Sequence, residues 1–333
     1  MANPVLVEVS RGGRIESVHR GAVCVSDAHG DAVFSLGDIS RPIFARSAIK
    51  AIQALPFVES GAADALKVSD AELALICSSH SGEDAHVQTA RGLLGRAGLQ
   101  ESVLECGGHW SSQDWIMRQQ TAHYSNSPPA ICNNCSGKHS GFVCTAAHLG
   151  IEIAGYVKRD HLIQQMVRDF VGQVMRAVQA EENCGIDGCS IPTYAMPLSE
   201  MASGFARMVT GQGLSSARAT AAKRLMSACM AQPFYVAGTG RFCTQLMKLG
   251  AGRIFAKTGA EGVFCGAIPE LGLGIALKCD DGNSRASEAM MAAVVARLLP
   301  RDDPLQTKLS AMSTKPLNNW NAIHVGDIAA RLP

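Results

Sequence analysis

The sequence has no apolar run near the roughly 20 residues that cross a bilayer. Its first five residues lack the basic start and apolar segment of a signal peptide. It also lacks a charge excess, because 30 basic residues face 29 acidic ones and leave a net charge of +1. We therefore expect a cytoplasmic protein with no nucleic-acid partner and no membrane partner.

The composition is that of a folded globular protein, and the balanced charge makes small-molecule chemistry the default expectation. Its 333 residues are 47% hydrophobic and 18% charged, which is enough to bury one large core or two closely packed subdomains. Disordered and fibrous proteins are excluded. Twelve cysteines are spread along the chain, many inside apolar runs such as Leu75-Ile76-Cys77, and this predicts reduced core residues rather than a disulfide scaffold.

Strand patterns occupy both ends of the chain, and helical patterns fill its middle. We expect strand-rich parts over about 1–40 and 250–333 and a largely helical part over about 45–245, all within a single catalytic unit of residues 1–333. The predicted strands cover residues 5–9, 21–25, 32–36, 253–257, 262–266, 273–278 and 320–328, and the predicted helices 71–77, 84–97, 162–178, 214–230 and 284–299. This order predicts an α/β fold with an antiparallel sheet from both chain ends and a helical subdomain between them.

Some helix boundaries follow from single residues. Asp70 is a candidate N-cap for the helix over 71–77. A helical pattern also follows Arg46, but Pro56 is expected to end or bend it early.

Ser47 and Lys50 match the pattern S-x-x-K. At a helix N-terminus this spacing places the amine one turn from the hydroxyl on the same face. A lysine kept neutral by burial or by neighbouring cations can take the serine proton, so the two residues suit a nucleophile and its base. The pattern also arises by chance in chains of this length, as an ordinary surface pair.

A second motif supports the first. Lys257-Thr258-Gly259 ends a predicted strand, and K-T-G on a strand downstream of S-x-x-K occurs in serine β-lactamases and penicillin-binding proteins. Their third element is a hydroxyl on an interhelical loop, which Ser79 provides, although Ser79-His80-Ser81 departs from the usual S-D-N. A Ser79 and Lys257 pair would give the site two serine and lysine couples, and we expect the charge of each lysine to help lower the pKa of the other.

The densest group of reactive side chains is residues 132–141, with two thiols, an amine and an imidazole. Cys132 and Cys135 lie in this segment, and Cys184 and Cys189 form a second pair of nearby cysteines downstream. The four thiols could form a structural zinc site; reduced metal-free cysteines and a redox pair are the alternatives. Taken alone, His139 is more often a structural histidine than a ligand.

Several segments together resemble the bacterial L-asparaginase II family of the Rhizobium type, over nearly the full chain. They are Arg46-Ser47-x-x-Lys50, residues 77–83, 133–139, 185–189, 238–242 and 256–262. The resemblance implies a fold similar to serine β-lactamases and penicillin-binding proteins. It also implies a homodimer that hydrolyses L-asparagine to aspartate and ammonia.

The resemblance also assigns roles to individual residues. It implies two pairs, Ser47 with Lys50 and Ser79 with Lys257, and an unusual zinc near the substrate. The implied zinc ligands are Cys135, Lys138 and Cys189, with Asp187 close by and grouped with the substrate-binding candidates. Cys132 and Cys184 would then not be ligands.

We expect Ser47 to attack the side-chain amide of asparagine while Lys50 takes its proton, which gives an acyl-enzyme. Arg46 and His139 are candidates for holding the α-carboxylate of the substrate. We rank substrate positioning above metal-hydroxide catalysis for the zinc. The alternatives are a glutaminase, a penicillin-interacting serine hydrolase, and a non-catalytic zinc or penicillin-sensor protein.

Overall fold

A computed structural model describes residues 2–333, so Met1 of the predicted strand-rich part lies outside the described residues. The strands are β1 Val5–Arg11, β2 Arg14–Ser26, β3 Ala32–Leu36, β4 Ile43–Phe44, β5 Cys184–Ile186, β6 Pro192–Met196, β7 Phe255–Thr258, β8 Val263–Ile268, β9 Leu273–Cys279, β10 Thr314–Asn318 and β11 His324–Ala330.

The helices lie mostly between β4 and β7. They are α1 Lys50–Gln53, α2 Leu55–Glu59, α3 Ala62–Ala65, α4 Asp70–Ile76, α5 Asp84–Arg96, α6 Asp114–His123, α7 Ser136–Leu149, α8 Leu162–Met175, α9 Leu198–Thr210, α10 Ser216–Ala231, α11 Pro233–Ala237, α12 Phe242–Gly250, α13 Ser284–Leu298 and α14 Pro304–Met312. Short 3₁₀ segments cover Arg46–Ile49, Glu101–Val103, Ala130–Cys132, Glu181–Asn183 and Pro269–Leu271.

Both chain ends build one antiparallel sheet, as predicted. Seven of its eight strands follow the order β10-β11-β1-β2-β9-β8-β7, and β3 pairs with the second half of β2. Val23 of β2 pairs with Leu36 of β3 and with Leu277 of β9. The N-terminal strands are therefore held between strands from the C-terminal end, and the helical region is inserted between them.

Helices cover the two faces of this sheet. Gly274 of β9 faces α9, where an added Cβ would lie 2.0 Å from the carbonyl oxygen of Ala202. Gly266, on the opposite face because it pairs with Ile275, packs against Met291 of α13. The result is a helix–sheet–helix arrangement with a continuous apolar core.

A close helix contact positions the candidate site. An added Cβ on Gly137 of α7 would lie 2.2 Å from the Leu75 carbonyl oxygen of α4, and one on Gly141 would lie 2.8 Å from Ile76. Only glycine permits the two helices to approach this closely. The start of α7 therefore lies beside the loop that follows α4.

Several predicted boundaries are wrong for local reasons. Asp70 is not the N-cap, because Ser69 accepts from the Glu72 amide and Glu72 accepts from the Ser69 amide in a capping box. The helix expected over 162–178 ends at Met175, where Arg176 adopts a left-handed conformation. The early interruption expected at Pro56 is confirmed, because α1 ends at Gln53 and Pro56 lies in the first turn of the next helix, α2.

The C-terminal region holds more structure than predicted. The strand expected over 320–328 is His324–Ala330, and its hairpin partner Thr314–Asn318 and the helix Pro304–Met312 were not predicted. Thr314–Asn318 is mostly exposed and contains Pro316, so it lacks the apolar alternation on which strand prediction depends.

The cysteines are free thiols, and all except the half-buried Cys184 are buried, which confirms the expectation of core cysteines. Among residues 2–333, no helix has both the length and the apolar character needed to cross a membrane.

Candidate active site

The Ser79 hydroxyl lies between two buried lysines. Its Oγ is 3.0 Å from the Nζ of Lys50 and 2.9 Å from the Nζ of Lys257. Both lysines are at most 1% exposed, and Ser79 is 7% exposed. The structure thus brings together three of the four predicted catalytic residues, which come from α1, the loop after α4, and β7.

The loop that carries Ser79 is fixed on both sides by main-chain bonds. The Ser79 amide donates to the Val236 carbonyl at 3.0 Å, and the His80 amide donates to the Asn134 carbonyl at 3.2 Å. Gly238 then packs so closely that an added Cβ would lie 2.4 Å from the Oγ of Ser81. The hydroxyl is therefore preorganised by segments that are distant in sequence.

The two lysines differ in their surroundings. Burial, and then the charge of Lys50, lower the pKa of Lys257 from its usual 10.5 to about 7. Lys257 donates to two oxygens, the Ser79 hydroxyl and the Thr258 carbonyl. Lys50 directs its amine at three acceptors, adding the Ser78 carbonyl at 2.6 Å and the Cys135 sulfur at 3.0 Å to Ser79.

Ser47 does not share this network. It is half-buried in the 3₁₀ segment, and among the hydrogen bonds of residues 2–333 none joins its hydroxyl to Lys50. Arg46, just before it, has φ +49°, a left-handed conformation that is costly for a residue with a Cβ. The predicted pair of Ser47 and Lys50 is close in sequence, but Lys50 hydrogen-bonds to Ser79 instead.

The end of the K-T-G segment packs on the backbone around Ser47. An added Cβ on Gly259 would lie 3.1 Å from the Ala48 nitrogen and 3.3 Å from the Ala45 carbonyl oxygen. Absence of a side chain at Gly259 therefore allows β7 to approach the serine-bearing segment.

The three predicted metal ligands lie together. The Nζ of Lys138 is 3.2 Å from the Sγ of Cys189, and the Cys135 and Cys189 thiols are hydrogen-bonded to each other. Two thiols and one amine bound to a tetrahedral zinc would place sulfur and nitrogen about 3.6 Å apart. The Lys138–Cys189 distance is close to this value, so the chemistry and spacing of this pair are compatible with zinc.

Cys135, Lys138 and Cys189 each change the pKa values of the others. The hydrogen bond with Cys189, aided by Lys50 and Lys138, holds the pKa of the Cys135 thiol well below its usual value. The same bond and burial raise the pKa of Cys189. Burial opposes the charge of Lys138, but Cys189, Cys135 and Asp187 outweigh it and raise its pKa.

Cys135 joins the metal-ligand group to the serine and lysine group. Its sulfur accepts from Lys50 and lies 3.1 Å from the Oδ1 of Asn134. Its amide donates to the Oδ1 of Asn133 at 2.7 Å, which fixes the turn that leads into α7. The two predicted groups therefore form one continuous polar site.

Arg46 and Asp187 pair with each other. The guanidinium reaches the Oδ1 of Asp187 at 2.9 Å through both Nε and Nη2. Burial alone would raise the pKa of Asp187, but Lys138 and Arg46 outweigh it and lower the pKa. An anion and a cation are thus presented side by side near Lys138.

His139 is fully buried on α7. Its Nδ1 lies 2.7 Å from the Tyr156 hydroxyl, and that hydroxyl accepts from the Glu105 amide at 2.9 Å. The tyrosine proton therefore points at Nδ1, which leaves the ring proton on Nε2. Burial, and then Lys138, hold the pKa of His139 well below its usual value, so the ring is neutral. Its Nε2 is buried and has no partner within residues 2–333.

The four-cysteine zinc alternative is not supported by these positions. The Cys132 thiol is hydrogen-bonded to Tyr124, and the Cys184 thiol is hydrogen-bonded to Tyr194. Among residues 2–333, one group of three or more His, Cys, Asp or Glu side chains is close enough to hold a metal ion. That group includes none of these four cysteines.

Sequence reasoning missed three contributors to this site. Tyr156 orients His139, Asn134 contacts the Cys135 sulfur, and Ser136 lies 2.9 Å from the Nε2 of His80. Asn134 and Ser136 belong to the dense cluster at 132–141, which was the available signal. No sequence signal pointed to Tyr156, because it lies outside the cluster and contacts His139 only in the folded structure.

The fold and the site define a class. A sheet from both chain ends, S-x-x-K at the start of the helical region and K-T-G on the terminal strand β7 are the arrangement of serine β-lactamases and penicillin-binding proteins. The chain belongs to the L-asparaginase II family, whose model matches residues 7–330. It is therefore an amidohydrolase-family enzyme. Comparison with curated protein sequences gives no match.

Three solved structures are similar at low identity. A β-lactamase from Mycobacterium bovis is 15% identical, with TM-score 0.43 over 83% of this chain and 94% of that one. A putative β-lactamase from Bacteroides dorei is 12% identical, with TM-score 0.40 over 78% and 84%. A D-alanine carboxypeptidase from Burkholderia cenocepacia is 14% identical, with TM-score 0.38 over 82% and 91%. At these TM-scores the likeness carries no inference about activity.

Proposed function

We propose that the protein hydrolyses the side-chain amide of L-asparagine to L-aspartate and ammonia through an acyl-enzyme. Family membership supports the amide chemistry. The observation that carries the mechanism is the Ser79 hydroxyl held between Lys50 and Lys257, because it provides a route for a proton between two buried amines.

Ser47 is the proposed nucleophile. Its partial exposure leaves it accessible to a substrate, whereas Ser79 is 7% exposed. The strained φ of Arg46 supports a functional role for this segment, since strain concentrates at active sites. Backbone amides near Ser47 would hold the oxyanion.

The proton would pass along the lysines. Lys257 has a pKa of about 7 and can be neutral near neutral pH, so Ser79 can donate to Lys257 while it accepts from Lys50. When one proton moves from Lys50 through the Ser79 hydroxyl to Lys257, Lys50 becomes neutral and able to take the Ser47 proton. The Ser47 oxygen then bonds to the amide carbon, the C–N bond breaks, and ammonia leaves with the proton. Water repeats the sequence on the ester and releases aspartate.

The charged groups of asparagine have candidate partners. Arg46 would bind the α-carboxylate and Asp187 the α-ammonium, which would open the present ion pair. The unpartnered Nε2 proton of His139 is a further donor, because a buried donor without a partner is costly unless a ligand satisfies it.

We also propose that Cys135, Lys138 and Cys189 hold a zinc ion, on the strength of the fit of their donor atoms. When bound, the ion would supply a positive charge and a fixed coordination position for polar groups of the substrate. Lys138 must lose its proton to bind, so metal affinity should rise with pH. A homodimer and a cytoplasmic location remain predictions; light scattering after gel filtration tests the first.

The decisive experiment measures ammonia release from asparagine, glutamine and a chromogenic lactam by the wild type, Ser47→Ala and Ser79→Ala. Ser310→Ala, on the exposed side of α14, is the matched control. We expect sustained turnover of asparagine by the wild type and the control, and none by Ser47→Ala despite an intact fold. Faster turnover of glutamine or the lactam than of asparagine would mean that asparagine is not the preferred substrate. A single acylation without turnover would identify a sensor protein.

Trapping identifies the nucleophile directly. Rapid acid quenching during turnover, followed by peptide mapping, should find the aspartyl ester on Ser47. An ester on Ser79 instead would move the nucleophile to the serine that the two lysines contact.

A further inference from the structure

A second cluster of metal-binding side chains lies at one end of the sheet, and it follows from strand register. Gly21 of β2 pairs with Cys279 of β9 in antiparallel register. The Asp280 amide donates to the Arg20 carbonyl at 2.9 Å, which continues the ladder by one residue. His19 therefore lies opposite Asp281, and Cys279 is on the same face because side chains alternate along a strand.

The three side chains are in contact. The Nδ1 of His19 is 2.6 Å from the Oδ2 of Asp281, and the Cys279 thiol donates to the Oδ1 of Asp281 at 2.9 Å. One donor atom from each residue lies within 4.8 Å of the others. His19 is 4% exposed and Cys279 is fully buried, whereas the Asp281 side chain is 49% exposed.

We propose that His19, Cys279 and Asp281 form a second metal site, separate from the Cys135 group, that binds one Zn²⁺. An imidazole, a thiolate and a carboxylate together suit a borderline-soft divalent ion better than Mg²⁺ or Ca²⁺, which prefer oxygen alone. Three protein ligands leave a fourth position for water. The exposed side of Asp281 gives the ion a path from solvent.

Binding would rearrange the protons of the cluster in a defined way. Arg285 donates to the Nε2 of His19 at 3.2 Å, so the ring proton is on Nδ1 and points at Asp281. The metal takes Nδ1, the ring proton moves to Nε2, and the Arg285 contact is released. The Cys279 thiol loses its proton to solvent. Arg285 therefore opposes metal binding in two ways. Its positive charge repels the ion, and its hydrogen bond to Nε2 favours the tautomer in which Nδ1 carries the proton.

The site would join elements that lead to the catalytic strand. It connects β2 to the segment between β9 and α13. The turn before β8 packs on it, since an added Cβ on Gly262 would lie 2.8 Å from the Cβ of Cys279. Bound zinc should therefore stabilise the end of the sheet from which β7 carries Lys257.

The test uses the full chain with Cys135→Ser and Cys189→Ser, so that it does not depend on the proposed function. After equilibrium dialysis against zinc and a metal-free wash, we expect elemental analysis to give about one zinc per chain. Adding Cys279→Ser or Asp281→Asn should remove it, and adding Cys184→Ser, a half-buried cysteine outside the cluster, should not. Asp281→Asn changes a half-exposed residue and keeps its shape, so it remains informative if Cys279→Ser fails to fold.

Two further readouts test the ligands. Cobalt in the same background should give a thiolate-to-cobalt charge-transfer band that Cys279→Ser abolishes, and Arg285→Ala should tighten zinc binding. The proposal is overturned if the background holds no zinc, or if Cys279→Ser and Asp281→Asn retain as much as Cys184→Ser.

Discussion

Replacing Lys257 with methionine should abolish turnover and yet stabilise the fold at neutral pH. The side chain is 1% exposed, and its pKa falls from 10.5 to about 7 on folding. A group whose pKa is lower in the folded state binds more protons when unfolded, so between these values stability rises with pH. Methionine has a similar length and carries no charge to desolvate.

The magnitude follows from the two pKa values. The cost of burying Lys257 is about 4 kcal/mol at pH 7 and about 2 kcal/mol at pH 9, at 1.36 kcal/mol per pKa unit. Methionine also forfeits the hydrogen bonds to Ser79 and Thr258, at about 1 kcal/mol each. The variant should thus be about 2 kcal/mol more stable than the wild type at pH 7 and about equal at pH 9.

Thermal unfolding of both proteins at the two pH values measures the difference. For a chain of this length 1 kcal/mol corresponds to about 1.5 °C, so we expect a gain of about 3 °C at pH 7 that disappears by pH 9. Lys308→Met, on the exposed side of α14, should change neither value and is the matched control. A gain that does not depend on pH, or a loss at pH 7 that equals the loss at pH 9, would refute the assignment of a depressed pKa to Lys257.

Three other outcomes follow. Because neutral Lys257 begins the proton route, kcat/KM for asparagine should fall as pH drops through about 7, and a profile flat from pH 6 to 8 would count against it. Gly259→Ala should lower kcat at least tenfold, since its Cβ would crowd the Ala48 nitrogen; Gly92→Ala, with open space on α5, should keep full activity and gain up to about 1 kcal/mol in unfolding free energy. Cys135→Ser should lose the zinc of the proposed ligand group in elemental analysis, and wild-type zinc should dissociate more readily at pH 6 than at pH 8.

The order of strands and helices was predictable because burial imposes a period on the sequence. The apolar run that begins Val5–Arg11 follows from burial of the strand, and the helical repeat over Leu162–Met175 follows from one face packing on a core. Prediction failed where packing is not periodic. Thr314–Asn318 is held by hydrogen bonds to its hairpin partner, and its side chains are mostly exposed.

The identities of the site residues were also present in the sequence, as S-x-x-K, K-T-G and the dense cluster at 132–141. Each motif is local, so its chemistry can be recognised from residue types and spacing. Whether zinc binds, and which serine is the nucleophile, stay predictions until they are measured.

What only the tertiary structure decided is which groups meet. The sequence spacing predicts a contact between Lys50 and Ser47. In the folded protein the Lys50 amine instead donates to the Ser78 carbonyl and the Ser79 hydroxyl, in the loop after α4, and to the Cys135 sulfur at the start of α7. A buried amine must satisfy its donors, and it takes the acceptors that close packing of α4 on α7 brings within reach. The sequence determined the order of the elements and the identities of the reactive side chains. The close approach of α4 and α7, which Gly137 allows, decided that these side chains form one site.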